Sequence, residues 1–557
     1  MKKHFFFLLC ILLVLSMLLG TLAACKEDPV TPPANDEPDP PAVPTEEPYT
    51  HSETYFSETQ LSTIKAALEA KNSAFSPLDG TMAPAISLNV DVLSNCSITS
   101  ISIPVQKTLE ADALGEFTYT LSVVGIALDS MKAAPVSGKI LKISAADHEL
   151  AENSYIYRYI TIDLSADPIK LNEGETLALG APDDTLIAAY VKTEASDIAD
   201  YMKMECKETG MFTQGMTETL AYDRDLLCFD FVLERSYESE AAYQAEVAEK
   251  KAAEDAFQAK VQALKDAGYK GKKISIVGDS ISTFGGVSNS TDINSTIGGN
   301  NVHNTRNTNV CDWTMTYWGR LITELEMELC VPNCYSGARS YGTESKQEGK
   351  DSLLYRADQL HRDNKTPNDP SDDTAPDVIL VYMGINDMLT SPKLNFLSDP
   401  NIDVAATTKT WMDTVVKPKY AKYDPSELPT FDSDNPNTEG LTYASWQEAY
   451  AMGLMLMQET YPDAEIWIMS LVDSHAHNSG KNGRIDYGNL YIRAIANYFG
   501  FKLIDQQENG YITKQNAYLH GQDEGTGIYG LHPNLKGHDL TMRLIVEEIY
   551  KCHISNS

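Results

Sequence analysis

The chain has 557 residues, of which 43% are hydrophobic and 22% charged, and it carries a formal net charge of -35 at pH 7. Such a length outgrows a single core, so two domains with accessory segments are expected, and the composition is that of soluble globular protein. The acidic balance disfavours nucleic acid and anionic lipid as partners and favours solubility, without bearing on the fold.

Residues 1–24 read as a secretory signal. Lys2 and Lys3 precede an almost wholly apolar run from Phe5 to Leu19, and Leu22-Ala23-Ala24-Cys25 ends it with small residues before a cysteine. That tetrad resembles the bacterial lipobox, which implies cleavage before Cys25 and a lipid anchor on Cys25. The implied address is a secreted lipoprotein on the cell membrane or outer membrane, facing the periplasm or the exterior. Residues 25–50 then read as a tether: positions 26–50 hold eight prolines and seven acidic residues, too little apolar surface to fold. Extended at about 3.1 Å per residue, the segment reaches roughly 75 Å.

Setting Cys10 and Cys25 aside, the cysteines are Cys96, Cys206, Cys228, Cys311, Cys330, Cys334 and Cys552. Cys330 and Cys334 could form half a zinc site, but no second CxxC or HxxxH pair accompanies them. Buried free thiols or one local disulfide are expected there, and no metal. No cofactor is expected either.

Ser57-Glu58-Thr59-Gln60 has capping-box spacing before Leu61, Ile64, Ala67 and Leu68, which predicts a short helix. From about 86 to 234 the period changes to two, with many short apolar or alternating runs separated by turn residues. This predicts an all-β, jelly-roll-like sandwich over residues 51–235. All five tryptophans (Trp313, Trp318, Trp411, Trp446 and Trp467) lie beyond it, so it offers no tryptophan platform for stacking sugar. Tyr155, Tyr157 and Tyr159 alternate along one strand and read as packing before they read as a sugar site. Asp183 and Asp184 read as turn formers.

Residues 236–268 are rich in Ala, Glu and Lys, with apolar positions at Tyr243, Val247, Phe257, Val261 and Leu264 and a stop at Gly268. They predict a bridging helix packed along the next domain, with heptads too few for a coiled coil. Over 269–557 near-continuous apolar strands alternate with helices. The strands are expected at 274–278, 329–336, 377–384, 465–472 and 501–505. The helices between them are expected at 318–328, 443–460 and 487–499. The alternation predicts a parallel sheet covered on both faces, an α/β domain.

The first three strands each end in small or polar residues. Gly278-Asp279-Ser280 lifts a serine out at a strand's carboxyl end, where open α/β sheets place their chemistry. Asn333-Cys334-Tyr335-Ser336-Gly337 supplies a glycine whose N–H can approach a reacting oxygen. Gly384-Ile385-Asn386-Asp387 supplies a side-chain amide, and Gly530-Leu531-His532-Pro533 a late histidine before a final helix at about 537–551. A serine becomes a nucleophile when an imidazole takes its proton and donors stabilise the oxyanion.

These four segments, in this order, resemble the blocks of the SGNH or GDSL hydrolase superfamily over about residues 270–552. The resemblance implies a flavodoxin-like α/β/α sandwich with Ser280 as nucleophile and His532 as general base. Ser280 N–H, Gly337 N–H and the Asn386 amide would form the oxyanion hole. The family's usual aspartate, three residues before the histidine, is replaced by Tyr529. Asp523 or Glu524 could orient His532 instead; otherwise a Ser-His dyad operates. His475 and His477 are expected near the substrate cleft, as are the loop 285–312 and the insertion 388–439. Arg339 is a candidate for meeting an anionic or sugar group. Asp369 to Asp373 read as a solvated loop.

With the signal and the sandwich, the resemblance points to a serine esterase that deacetylates polysaccharide, with an acylated carbohydrate or other small ester as substrate. The alternatives are a lipase, a thioesterase or an O-acyltransferase of the same fold, or a degenerate cell-surface glycan-binding protein.

Overall fold

The computed structural model describes residues 47–54, 75–77, 85–88, 96–107, 116–127, 132–144, 158–172, 176–179, 186–192, 209–210, 225–227, 230–284, 313–341, 352–362, 373–390, 403–424, 430–431, 442–443, 445–472, 484–513, 521–522, 532–533 and 535–555, with the single positions 58, 61 and 62. The signal, most of the tether including Cys25, most of the helix expected after Ser57, Tyr155, Tyr157, Asp183 and Asp184 lie outside the described residues.

The amino-terminal region is all-β, as its period-two pattern predicts. Among the described residues its strands form two antiparallel sheets, one of eight strands and one of five. The strand Cys96–Lys107 is central to the larger sheet, pairing with Asp230–Tyr237, Arg158–Asp163, Ile169–Leu171 and Leu186–Lys192. Ile98 and Ile101 are both fully buried, although three residues apart they would face opposite sides of a regular strand. A bulge resolves this. Ser100 pairs with Val232 but Ile98 with Leu233, so Thr99 is an extra residue that resets the alternation. Tyr159 lies on a strand facing Pro104. The outermost ladder, Tyr49–Thr54 against Asp230–Tyr237, reaches two residues past each end of 51–235.

The bridging helix, α1, spans Glu240–Leu264, with the Ser239 hydroxyl accepting the Ala242 N–H at 3.2 Å. Gly268, at a φ of 92°, ends the turn that follows. Phe257, Val261 and Leu264 are buried in the core of the carboxyl-terminal region, and Arg543 lies over the Phe257 ring at 4.4 Å. The other end docks on the β region: Tyr243 stacks on His51, with ring centroids 4.2 Å apart. Val247 departs from the expected apolar stripe. It is 43% exposed, because it falls between the two docked ends.

Among the described residues, the carboxyl-terminal region holds a sheet of five parallel strands: β1 Lys273–Gly278, β2 Glu328–Cys334, β3 Val378–Tyr382, β4 Glu465–Met469 and β5 Lys502–Ile504. Their order is 2-1-3-4-5, the flavodoxin-like order, in which the connections leaving the neighbouring strands β1 and β3 diverge and open a crevice at their carboxyl ends. Every residue of β3 is buried, as the uninterrupted apolar run requires of a sheet covered on both faces. Trp318, Trp446 and Trp467 are completely buried beside it. The edge strand β2 contains Pro332, tolerable at an edge. Its register slips between Ile274 and Ile276 of β1, and the Ser275 hydroxyl accepts the Val331 N–H at 3.1 Å across the slip.

Candidate active site

β1 ends at Gly278 and the chain turns at once. Asp279 caps a 3-10 turn over Ser280–Ser282, its carboxylate accepting the Ile281 N–H at 3.0 Å. Thr283 closes the turn, donating its N–H at 3.2 Å and its hydroxyl at 2.7 Å to the Ser280 carbonyl. Beneath, the Ser282 and Tyr317 hydroxyls lie 2.7 Å apart, and the Trp318 indole donates to the Ser282 carbonyl at 2.9 Å. The turn is therefore fixed from below, and Ser280 stands at the sheet's carboxyl edge, 5% exposed.

His532 reaches it from the far end of the chain. Its Nε2 lies 2.8 Å from Ser280 Oγ, within reach for proton transfer. The ring is carried on a two-residue strand, His532–Pro533, paired antiparallel with Gly521–Gln522, with Gln522 opposite His532. Asp523 and Glu524 follow Gln522 directly; they and Tyr529 lie outside the described residues.

Gly337 occupies the third position of the turn Tyr335–Ala338, closed by the Ala338 N–H on the Tyr335 carbonyl at 3.1 Å. Its φ is 73°, the conformation a type II turn requires there and a Cβ resists. Asn386 lies in the first turn of the helix Ile385–Thr390, and its side-chain amide donates to the Ala338 carbonyl at 3.1 Å. The segments after β2 and β3 are thus joined beside the segment that carries Ser280.

A second joint was less visible in the sequence. Asp387, fully buried, accepts the Ser340 N–H at 3.1 and 3.0 Å through its two oxygens and the Ser340 hydroxyl at 3.0 Å. Burial pushes its carboxyl up to about 7, against the pull of the Ser340 donors and of Arg339. Asp387 sits in the quoted Gly384–Asp387 segment, yet only its burial beside a polar residue reveals its part. Arg339 turns its guanidinium to the Tyr341 hydroxyl at 3.2 Å.

Cys330 and Cys334 are free thiols, not a disulfide. Cys330 donates to the Thr374 carbonyl at 3.2 Å. Among the described residues no group of three or more His, Cys, Asp or Glu is placed to hold a metal. Asp373 lies 3.3 Å from His361. His475, His477, the loop 285–312 and about half of the insertion 388–439 lie outside the described residues.

Residues 272–409 match the family model for GDSL-like lipase/acylhydrolase. That stretch, about a quarter of the chain, is similar to the GDSL-like acylhydrolases. Ser280, Gly337 and Asn386 fall within the match, whereas His532 lies beyond it and joins the site by its position.

Solved structures similar to this chain include a GDSL-like lipase from Bacteroides ovatus ATCC 8483, 22% identical over 51% of this chain and 99% of that one, at a TM-score of 0.30. Another is a family two carbohydrate esterase from Clostridium thermocellum in complex with cellohexaose, 13% identical over 82% of this chain and 90% of that one, at 0.27. A family two carbohydrate esterase from Cellvibrio japonicus is 9% identical over 90% of this chain and 98% of that one, at 0.28. Likenesses this distant carry no argument, and the fold rests on the strand order described above. No curated protein matches the chain.

Proposed function

We propose that the GDSL-like domain cleaves esters through a covalent acyl-enzyme on Ser280, with His532 as general base. The observation that carries this reading is the 2.8 Å separation of Ser280 Oγ and His532 Nε2 at the carboxyl end of β1. In the first step the Ser280 proton passes to Nε2 as Oγ attacks the acyl carbon. The negative charge moves to the carbonyl oxygen, which accepts from the N–H groups of Ser280 and Gly337 and from the Asn386 amide. Collapse breaks the bond to the alcohol, which leaves with the proton held on Nε2. Water then repeats the sequence, giving its proton to His532 and releasing the carboxylate. Asp523 or Glu524 orients the imidazole; replacing both without loss of rate would reduce the machinery to a dyad.

For the substrate we propose acetylated polysaccharide. Its support is the chain's organisation: an ester hydrolase joined by a docked helix to an all-β region, behind a segment that reads as a lipoprotein signal. In this reading Cys25 carries lipid and the tether holds the enzyme outside the cytoplasm. The test is acetate release from acetylated xylan, pectin, chitin fragments and peptidoglycan, alongside 4-nitrophenyl esters of increasing chain length. Ester hydrolysis that persists in Ser280→Ala sinks the mechanism. A preference for long acyl chains would replace the polysaccharide reading with a lipase, and detergent-phase partitioning unchanged by Cys25→Ser would remove the anchor.

A further inference from the structure

Arg356 is 1% exposed, an unusual place for a guanidinium. It ends a single helical turn, Leu353–Arg356, capped by Ser352, whose hydroxyl accepts the Tyr355 N–H at 3.2 Å. From there it reaches the carboxyl ends of three strands at once. Its Nη1 donates to the Gly278 carbonyl at 3.0 Å and to the Asn333 carbonyl at 2.8 Å, and its Nη2 contacts Met383 Sδ at 3.1 Å. The guanidinium carbon lies 5.4 Å from the centroid of the Tyr335 ring. Gly278 is two residues before Ser280, Asn333 and Tyr335 are four and two before Gly337, and Met383 is three before Asn386. The turn carrying Arg356 is itself tied to the site, since the Leu353 N–H donates to the Ser340 carbonyl at 3.1 Å.

We propose that Arg356 is a positioning residue that sets the nucleophile turn, the Gly337 turn and the Asn386 segment in register for oxyanion binding. This rests on the Ser280 mechanism proposed above. A planar guanidinium is suited to the task because its donors leave in fixed, divergent directions, so one rigid group fixes several acceptors relative to each other. A lysine at the same place keeps the charge but has no rigid fork. Arg356 touches no reacting atom; its effect is on where the donors stand. Oxyanion donors act on the transition state more than on the bound substrate, so misplacing them lowers kcat and leaves KM nearly unchanged.

The experiment compares wild type, Ser280→Ala, Arg356→Lys and Arg356→Ala with 4-nitrophenyl acetate, after circular dichroism and thermal melting establish which variants are folded. The expected result for folded Arg356→Lys is a kcat reduced by about tenfold to a hundredfold with KM within twofold. Arg356→Ala should lose more and regain part of its kcat when guanidinium ion is supplied at millimolar concentration, whereas methylammonium should not restore it. A folded Arg356→Lys with wild-type kcat would overturn the proposal, as would equal losses explained by the unfolded fraction. Failure of both variants to fold would also overturn it, leaving Arg356 with a role in stability alone. Activity surviving in Ser280→Ala would instead strike the mechanism, so the two failures are told apart in one assay.

Discussion

Asp387 receives both donors of Ser340 from a position with no exposed surface. The contact fixes the chain three residues past Gly337 to the residue after Asn386, so it braces two of the three segments that build the site. Its ionisation is costly, because burial and the neighbouring Asp279 oppose charge while Ser340 and Arg339 favour it, with the balance at about 7. The folded value is raised above the ordinary 3.8, so the folded state holds this proton more tightly than the unfolded chain. The group's contribution to stability is therefore full below about pH 4 and is lost as pH rises to about 7. Asp387→Asn is permanently neutral and should remove that slope. Denaturant unfolding at pH 5 and pH 8 should show a wild-type loss on the order of a few kcal/mol that the variant lacks; equal slopes would refute it.

Gly278 is held by its surroundings more than by its backbone angles. A Cβ there would overlap the Ser282 side chain and lie 3.3 Å from Cys334 Sγ. Ser282 cannot move freely, since its hydroxyl is bonded to Tyr317 and its carbonyl to Trp318. Gly278→Ala should therefore shift the nucleophile turn, costing roughly 1–3 kcal/mol of stability and lowering kcat in the folded fraction. Paired measurements of unfolding and 4-nitrophenyl acetate turnover would show both; wild-type values for either would count against this account.

Much of the fold was legible because strands buried on both faces read as unbroken apolar runs. The segments ending in Gly278, Cys334 and Tyr382 could therefore be placed with the residues that follow them. Gly337 shows locally because its turn needs a positive φ, and Ser280 because it follows the capping Asp279, whereas Asn386 is placed only by following β3. Arg356 was not legible. Its partners are carbonyls and a thioether far away in the chain, and a basic residue after Leu353-Leu354-Tyr355 carries no local sign that it points inward. Val247 failed for a related reason: Lys250, Lys251 and Glu254 interrupt the apolar stripe between Val247 and Phe257, and the helix makes its apolar contacts at its two ends.

The two thiols of β2 make a chemical prediction. Burial pushes the Cys334 thiol up to about 12, and burial likewise raises Cys330. Only the thiolate reacts, so iodoacetamide at pH 8 should leave both unmodified in the native protein and alkylate both after unfolding. Peptide mapping by mass spectrometry reads the outcome. Alkylation of Cys334 while the protein remains active would show that the floor of the site opens in the native state.

Asn386 tests the oxyanion assignment most directly. Its amide is oriented by the Ala338 carbonyl at 3.1 Å, which places the side chain beside the Gly337 turn before any substrate arrives. Preorganised donors of this kind contribute chiefly in the transition state, and losing one costs about 10²–10³ in kcat. Asn386→Ala should therefore lower kcat by that order with KM changed little, while melting shifts only slightly, because Asp387 still holds Ser340. Asn386→Asp places an acceptor where a donor is needed and should be at least as damaging. If Asn386→Ala instead raised KM with kcat intact, the amide would serve ground-state binding, and the oxyanion hole would consist of the Ser280 and Gly337 N–H groups alone.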